Sequence, residues 1–208
     1  MAVLHTLILA AGESRRFESC KQLASVGKET LLERVLMQAH VLTPGATTLV
    51  LGARAELIER QCHELIKETK VALHNHEGWR EGMGSSLAAG IHALPSDVEA
   101  VLVLVVDQVS VTVKELGNII DRWRQLDQAT RERKIVCARY RQTVGVPALF
   151  PSRYFDELKQ LYGDRGAKKL ISRYASDTLT VSMPSASIDI DTQDQLQSFG
   201  ENNDNTQH

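Results

Sequence analysis

Asp107 closes an unbroken aliphatic run, Ala100 to Val106, and that placement makes it the most informative residue in the sequence. A carboxylate set directly after a strand covered on both faces is costly to desolvate unless it is paired or holds a metal. The plainer alternative is a turn or helix-capping aspartate. Asp189 and Asp191 flank Ile190 late in the chain, and on a strand both side chains point the same way. One of them can join Asp107 on a hard cation such as Mg²⁺, which prefers carboxylate and phosphate oxygens. Asp191 can also cap the helix that follows, and the two roles can coexist. A second group lies near the N-terminus, where Leu9-Ala10-Ala11-Gly12 ends an apolar run and Arg16 and Lys21 follow. Small residues after a strand let a ligand approach the backbone. Freed N–H groups there bind anionic oxygens, and the two cations add fixed positive charge. This is the make-up of a phosphate-binding loop, although GxxxxGK[ST] is absent. A solvent-exposed basic turn reads equally well on that segment alone. The third group is Asn75, Trp79, Gly82, Met83, Gly84, Ser85 and Ser86. A glycine-containing segment opening a helix presents N–H groups at its positive end, but the partial GxGxxG fails at Leu87. Trp79 reads as packing. His74 and His76 share a strand face, and an HxH alone does not make a metal site.

The elements that must position these residues alternate between two periods. Short apolar runs read as strands at Leu4–Ala10, Thr47–Leu51, Lys70–His74, Ala100–Val106, Lys134–Tyr140, Thr178–Met183 and Ile188–Ile190, with a further short one at Pro147–Phe150. Helical spacing covers Thr30–Leu42, Glu56–Lys67, Gly82–Leu94, Val113–Trp123, Arg153–Tyr162, Arg165–Tyr174 and Thr192–Phe199. Thr30 and Glu33 form a capping box, and Pro44-Gly45 ends the first helix. Gly145-Val146-Pro147 and Gly163-Asp164-Arg165-Gly166 are turns that could shape an acceptor pocket. The tail from Gly200 reads as disordered. The alternation predicts one α/β domain over 1–199 with a mainly parallel sheet, whose ligands lie beyond the carboxyl ends of the strands.

Composition narrows the function classes. A chain of 208 residues is long enough to bury roughly 70% of its unfolded surface, so neither disulfides nor a structural metal is needed. Charged residues make up 24% and the net charge is −2, without the basic excess of a nucleic-acid binder. Arg131, Arg133 and Lys134 are interrupted by Glu132 and read as a solvated helix end. Cys20, Cys62 and Cys137 are odd in number and lack CxxC spacing, which fits a reducing cytoplasm. No run approaches the length of a membrane span, and the N-terminus has no secretory pattern.

Taken together the motifs resemble those of the MobA-like nucleotidyltransferases, and most closely the branch of molybdenum cofactor cytidylyltransferases. The family's LAAGxSxRxGxxK is matched by Leu9-Ala10-Ala11-Gly12, Ser14, Arg16 and Lys21. Its NxxWxxGMxxSLxxGI is matched by Trp79, Gly82, Met83, Ser86, Leu87, Gly90 and Ile91, with Asn75 one residue further from Trp79 than the pattern has it. Asp107-Gln108, Gly145–Phe150, Leu161–Ala167 and Ile188–Thr192 follow in order, so the resemblance spans residues 5 to 199. Two positions depart from the pattern. Glu18 stands where the first block has glycine, and Val109 where proline follows Asp-Gln.

The resemblance implies a single-domain, Rossmann-like three-layer α/β sandwich of the nucleotide-diphospho-sugar transferase type. It implies transfer of CMP from CTP to the phosphate of molybdopterin, giving molybdopterin cytosine dinucleotide and pyrophosphate. The nucleotide pocket would comprise Leu9, Ala10, Ala11, Gly12, Asn75, Gly82 and Ser86. Arg16 and Lys21 would bind the triphosphate, and Asp107 and Asp191 would hold Mg²⁺, with Asp189 in reserve. Guanylyl members of the family tend to carry glycine where Ala10 and Ala11 stand, which favours CTP. A molybdenum hydroxylase apoenzyme or its maturation chaperone is the implied protein partner, in the cytoplasm, with no nucleic acid or membrane. Other phosphorylated acceptors and a non-catalytic carrier of the cofactor remain alternatives at this point.

Overall fold

The computed structural model describes residues 3–17, 19–164 and 166–204. The first stretch comprises β1 (Leu4–Leu9), the short pair β2 (Ser25–Val26) and β3 (Glu29–Thr30), then α1 (Leu31–Leu42), β4 (Thr47–Leu51), α2 (Ala55–Gln61), α3 (His63–Thr69) and β5 (Ala72–Asn75). There follow α4 (Met83–His92), β6 (Ala100–Val105), α5 (Val113–Arg124), α6 (Gln128–Arg131) and the hairpin of β7 (Ile135–Tyr140) and β8 (Thr143–Pro151). The last elements are α7 (Phe155–Leu158), α8 (Gly166–Arg173), β9 (Thr178–Ser182) and α9 (Gln193–Asp204).

Seven strands form one sheet in the order β5-β4-β1-β6-β8-β7-β9. β5, β4, β1 and β6 run parallel. β8 is antiparallel to both its neighbours, and β9 is again parallel to β7. The chain moves outward from β1 through β4 to β5, then returns to the other side of β1 as β6. That reversal opens a crevice at the carboxyl ends of β1 and β6.

Period-two alternation makes the three layers. Ile8, Leu49, Leu51, Leu102 and Leu104 face α1 and α5. Leu7, Leu9, Val50, Val101 and Val103 face the other way, onto α4 and α8. Aliphatic burial on both faces explains why these strands read as continuous apolar runs. α1 starts on the expected capping box: Glu33 N–H donates to Thr30 Oγ1 at 3.1 Å, and Thr30 N–H to Glu33 Oε2 at 2.6 Å. α5 starts on a second, Thr112 with Glu115. Gly90 lets α4 sit close on the sheet, since a Cβ there would lie 2.7 Å from Leu7 Cδ1.

Several expectations need correction. The helix expected over 56–67 breaks at Cys62 into α2 and α3, because Cys62 takes φ −99° and ψ 14°. Pro147–Phe150 is the end of a nine-residue strand, β8. Pro147 is tolerated because it falls where the β7–β8 register shifts, opposite Cys137/Ala138. The helix expected over 153–162 is a 3-10 turn, one α-turn and an irregular exit, a spacing that also buries Tyr154 and Leu158. Ile188–Ile190 is not a strand: the N–H of Ile190 donates to the carbonyl of Asp107 at 3.1 Å rather than to a ladder. The final helix runs from Gln193 past Phe199 to Asp204, and 205–208 lie outside the described residues.

Candidate active site

At the carboxyl ends of β1 and β6 lies a cleft of about 510 Å³. It gathers Leu9, Ala10, Ala11, Gly12, Lys21, Gly82, Ser86 and Asp107 from segments far apart in sequence. Glu13, Ser14, Arg15, Gln22, Trp79, Arg80, Met83 and Asp164 complete most of its wall. β1 delivers the small-residue loop because its strand ends at Leu9, and β6 delivers Asp107 because its aliphatic run ends at the same level, Leu9 pairing with Val105.

Charge is organised around Lys21. Its ammonium lies 3.0 Å from Asp107 Oδ2 and 3.2 Å from Asp191 Oδ1, with the side chain only 9% exposed. Arg16 donates to the other oxygen of Asp191 at 2.8 Å. The two basic residues and two carboxylates singled out in sequence are therefore one network. Asp191 does not cap α9. Thr192 and Gln195 do that, through Gln195 N–H to Thr192 Oγ1 at 3.3 Å and Thr192 N–H to Gln195 Oε1 at 3.1 Å. The Asp191 carboxylate is left to the cations. Asp189, an exposed residue, lies near both carboxylates. Burial, Asp107 and Asp191 push its carboxyl up to about 6, against the pull of Lys21 and Arg141. Burial and then Asp189 likewise raise the Tyr140 hydroxyl.

Among the described residues no three His, Cys, Asp or Glu side chains form a ready-made metal cage. Mg²⁺ does not need one, because it is commonly held by one or two carboxylates together with substrate phosphates. Asp107 and Asp191, with a third carboxyl beside them, offer the oxygen donors that such a hard cation takes.

Three placements differ from the sequence reading. Asn75 is not part of the cleft: its amide donates to Glu59 Oε1 at 2.8 Å, and it lines a neighbouring hollow with Gly52, Arg54 and His76. Arg16 reaches the site through Asp191 rather than by lining the cleft wall, and its side chain is 72% exposed. Trp79 is more than packing, since it forms the wall between the cleft and the Asn75 hollow. The guanidinium of Arg80 stands 4.2 Å from the Trp79 ring centroid. His76 is bonded to Ser85 Oγ at 2.6 Å. Val109, at the position of the family's proline, is 2% exposed, and its N–H donates to the carbonyl of Asp107 at 3.0 Å. Glu18 and Arg165 lie outside the described residues.

Sequence reasoning missed Gln22, Tyr140 and the role of Gln108. The Gln108 amide donates to the carbonyls of Val146 at 3.0 Å and Ala186 at 2.9 Å, tying the Asp107 turn to β8 and to the segment that leads to Asp189. Asp164 borders both the first cleft and a second one of about 600 Å³, lined by Tyr140, Gly145, Val146, Lys168, Lys169 and Ser172 among others. The loop bearing Asp164 lies directly on the glycine turn before α4. The N–H of Gly84 donates to the carbonyl of Gly163 at 2.7 Å, and a Cβ on Gly82 would meet the carbonyl carbon of Gly163 at 2.6 Å.

The fold recurs in solved structures. Rv0371c from Mycobacterium tuberculosis H37Rv is 25% identical with a TM-score of 0.74, over 97% of this chain and 99% of that one. A complex of the same protein with manganese is 25% identical with a TM-score of 0.71, over 97% and 100%. Molybdopterin-guanine dinucleotide biosynthesis protein A from Archaeoglobus fulgidus shares the fold at 18% identity and a TM-score of 0.63, over 97% and 99%. Among curated proteins no match is found. The family model for the MobA-like NTP transferase domain matches residues 6–178, from β1 to the start of β9 and across the whole cleft. By that match, the chain belongs to the MobA-like NTP transferase domain family.

Proposed function

We propose that this nucleotidyltransferase moves CMP from CTP to the terminal phosphate of molybdopterin, forming molybdopterin cytosine dinucleotide and releasing pyrophosphate in the cytoplasm. The observation that carries the reading is the convergence of the β1 loop and the Lys21–Asp107–Asp191 network on one cleft that adjoins a second, larger one.

Each residue then has a part. Leu9, Ala10, Ala11, Gly12, Gly82 and Ser86 line the nucleotide pocket. Guanylyl members of the family tend to carry glycine where Ala10 and Ala11 stand, and that difference supports CTP over GTP. Lys21 and Arg16 swing from the carboxylates to the triphosphate, where they neutralise charge on the oxygens that leave with pyrophosphate. Asp107 and Asp191, released from the ammonium, would hold Mg²⁺. That ion would supply Lewis-acid stabilisation of the phosphate oxygens. The acceptor occupies the second cleft, where Lys168 and Lys169 offset its charge and Asp164 marks the boundary. A phosphate monoester, with its second pKa near ~6, is already largely dianionic at neutral pH and attacks the α-phosphate without a general base. What the chain contributes is alignment and charge neutralisation. The apoenzyme of a molybdenum hydroxylase, or its chaperone, would receive the product.

The test is a thermal-shift panel of CTP, GTP, ATP and UTP, each with and without Mg²⁺, on wild type and Asp107→Ala. A nucleotide at ~100 times its Kd adds about 2.7 kcal/mol, or roughly 5–11 °C for a chain of this size. A Mg²⁺-dependent shift selective for CTP and lost in Asp107→Ala is expected. No shift with any nucleotide would defeat the reading.

A further inference from the structure

The loop after β1 has a hydrogen-bonding polarity, and one side chain sets it. Three consecutive carbonyls are engaged on the protein side. The carbonyl of Ala11 accepts the N–H of Ala53 at 2.9 Å. The carbonyls of Ala10 and Gly12 both accept from Gln22 Nε2, at 2.8 and 2.9 Å. Among the described residues, the N–H groups of Gly12, Glu13 and Ser14 donate to no protein acceptor, and these residues line the cleft. Ser14 has a left-handed backbone, φ 55°, a conformation that helps turn successive N–H groups into a concave anion site.

Gln22 suits this task by its chemistry. A carboxamide NH₂ carries two donors, and here they meet two carbonyls. Its own oxygen is 3.4 Å from Cys20 Sγ, whose S–H donates to it and fixes which way the amide faces. The side chain is buried, so these bonds form away from competing water. It also sits in the turn Lys21–Leu23, so one turn sets both the loop and the ammonium of Lys21.

We infer that Gln22 is a positioning residue for polyphosphate: it draws the carbonyls of Ala10 and Gly12 away from the cleft, so that the following N–H groups face the incoming phosphate oxygens. The inference rests on the nucleotide reading of the cleft. Without the Gln22 donors two carbonyl oxygens are unpaired beside an anion, and the loop relaxes toward a geometry that repels it.

The full chain is compared as wild type, Gln22→Glu and Gln22→Leu. Binding of inorganic tripolyphosphate with Mg²⁺ is measured by calorimetry at pH 8.5 and pH 5.5. Hydrogen exchange of the Ala10 and Ala53 amides, which donate to Val50 and Ala11 carbonyls, reports the loop. At pH 8.5 both variants are expected to bind about tenfold or more weakly than wild type, with faster exchange at those two amides. At pH 5.5 the Gln22→Glu variant regains part of its affinity relative to wild type, because the protonated fraction of the carboxyl supplies one donor where the amide supplies two; Gln22→Leu does not. The surrounding groups Glu13, Arg15, Cys20, Lys21 and Asp107 are common to all three proteins, so the ratio isolates position 22. The Leu variant also covers a Glu variant that fails to fold. Wild-type affinity in the variants, or equal pH recovery in both, overturns the role of Gln22 and leaves the nucleotide reading standing. A wild type that binds no polyphosphate overturns the nucleotide reading and this inference with it.

Discussion

Replacing Lys21 with methionine removes the ammonium that joins Asp107 to Asp191 while keeping most of the side chain's volume. Contacts at 3.0 and 3.2 Å are each worth roughly 5 kcal/mol of gross attraction at an effective dielectric near 20. Two effects reduce that sum. The ammonium is itself almost fully desolvated, and the carboxylates are 30% and 36% exposed, so water screens them. Arg16 also stays on Asp191. The net loss of folding stability is then about 2 kcal/mol, or about 4–8 °C in Tm for a chain of this length. The same substitution leaves the carboxylates open to a divalent cation. Millimolar Mg²⁺ without nucleotide should recover much of the lost Tm in Lys21→Met and change wild type little, because in wild type the ammonium already occupies the carboxylates. Thermal denaturation of both proteins across a Mg²⁺ series reads this directly. A loss below ~0.5 kcal/mol, within the range of an ordinary surface substitution, or equal Mg²⁺ stabilisation of both proteins, would refute the reasoning.

Other perturbations follow from single observations. Gly82→Ala places a Cβ 2.6 Å from the Gly163 carbonyl carbon at φ 106°, and should cost about 1–3 kcal/mol in denaturant unfolding and displace the 162–164 loop; Gly117→Ala, in the interior of α5 with nothing within 4 Å, should instead stabilise by about 0.5–1 kcal/mol. Burial holds the His5 imidazole below its ordinary pKa, despite Asp97. The unfolded chain therefore binds the extra proton first, and stability present above the unfolded His value of ~6.5 is lost as pH falls below it. Tm followed from pH 7.5 to pH 5 should drop, with a shallower slope in His5→Gln. Burial pushes the thiols of Cys62 and Cys137 up to about 11, so a disulfide reagent at pH 8 should label them only as fast as the protein opens, and immediate labelling would contradict their placement.

Strands were legible where aliphatic residues ran without interruption, as in Leu4–Leu9 and Ala100–Val105, because burial on both faces leaves no polar position to blur the pattern. Helix starts were legible where capping chemistry is local, as at Thr30 and Glu33. β8 was legible only in part, as Pro147–Phe150, because Gly145 and Pro147 read as breaks, and only the partner strand's register shift shows how Pro147 fits. Ile188–Ile190 has a strand's composition, but its backbone bonds to the Asp107 turn, a long-range choice that no local pattern encodes. In the site, Arg16, Lys21, Asp107 and Asp191 stood out because charged residues at strand ends need partners, and they partner one another. Gln22 carried no such signal, since an amide beside a lysine looks like any surface residue until the carbonyls it meets are seen. The position of Asn75 was no more legible, since only the fold shows that it lines a neighbouring hollow while Trp79 borders both that hollow and the cleft.

The most direct measurement incubates the protein with Mg²⁺, molybdopterin and α-labelled CTP or GTP, and quantifies pyrophosphate together with the labelled dinucleotide. The account requires one pyrophosphate per molybdopterin cytosine dinucleotide, a clear preference for CTP, and no product with Asp107→Ala. Pyrophosphate from neither nucleotide in the presence of molybdopterin, or dinucleotide formed equally well by Asp107→Ala, would contradict it.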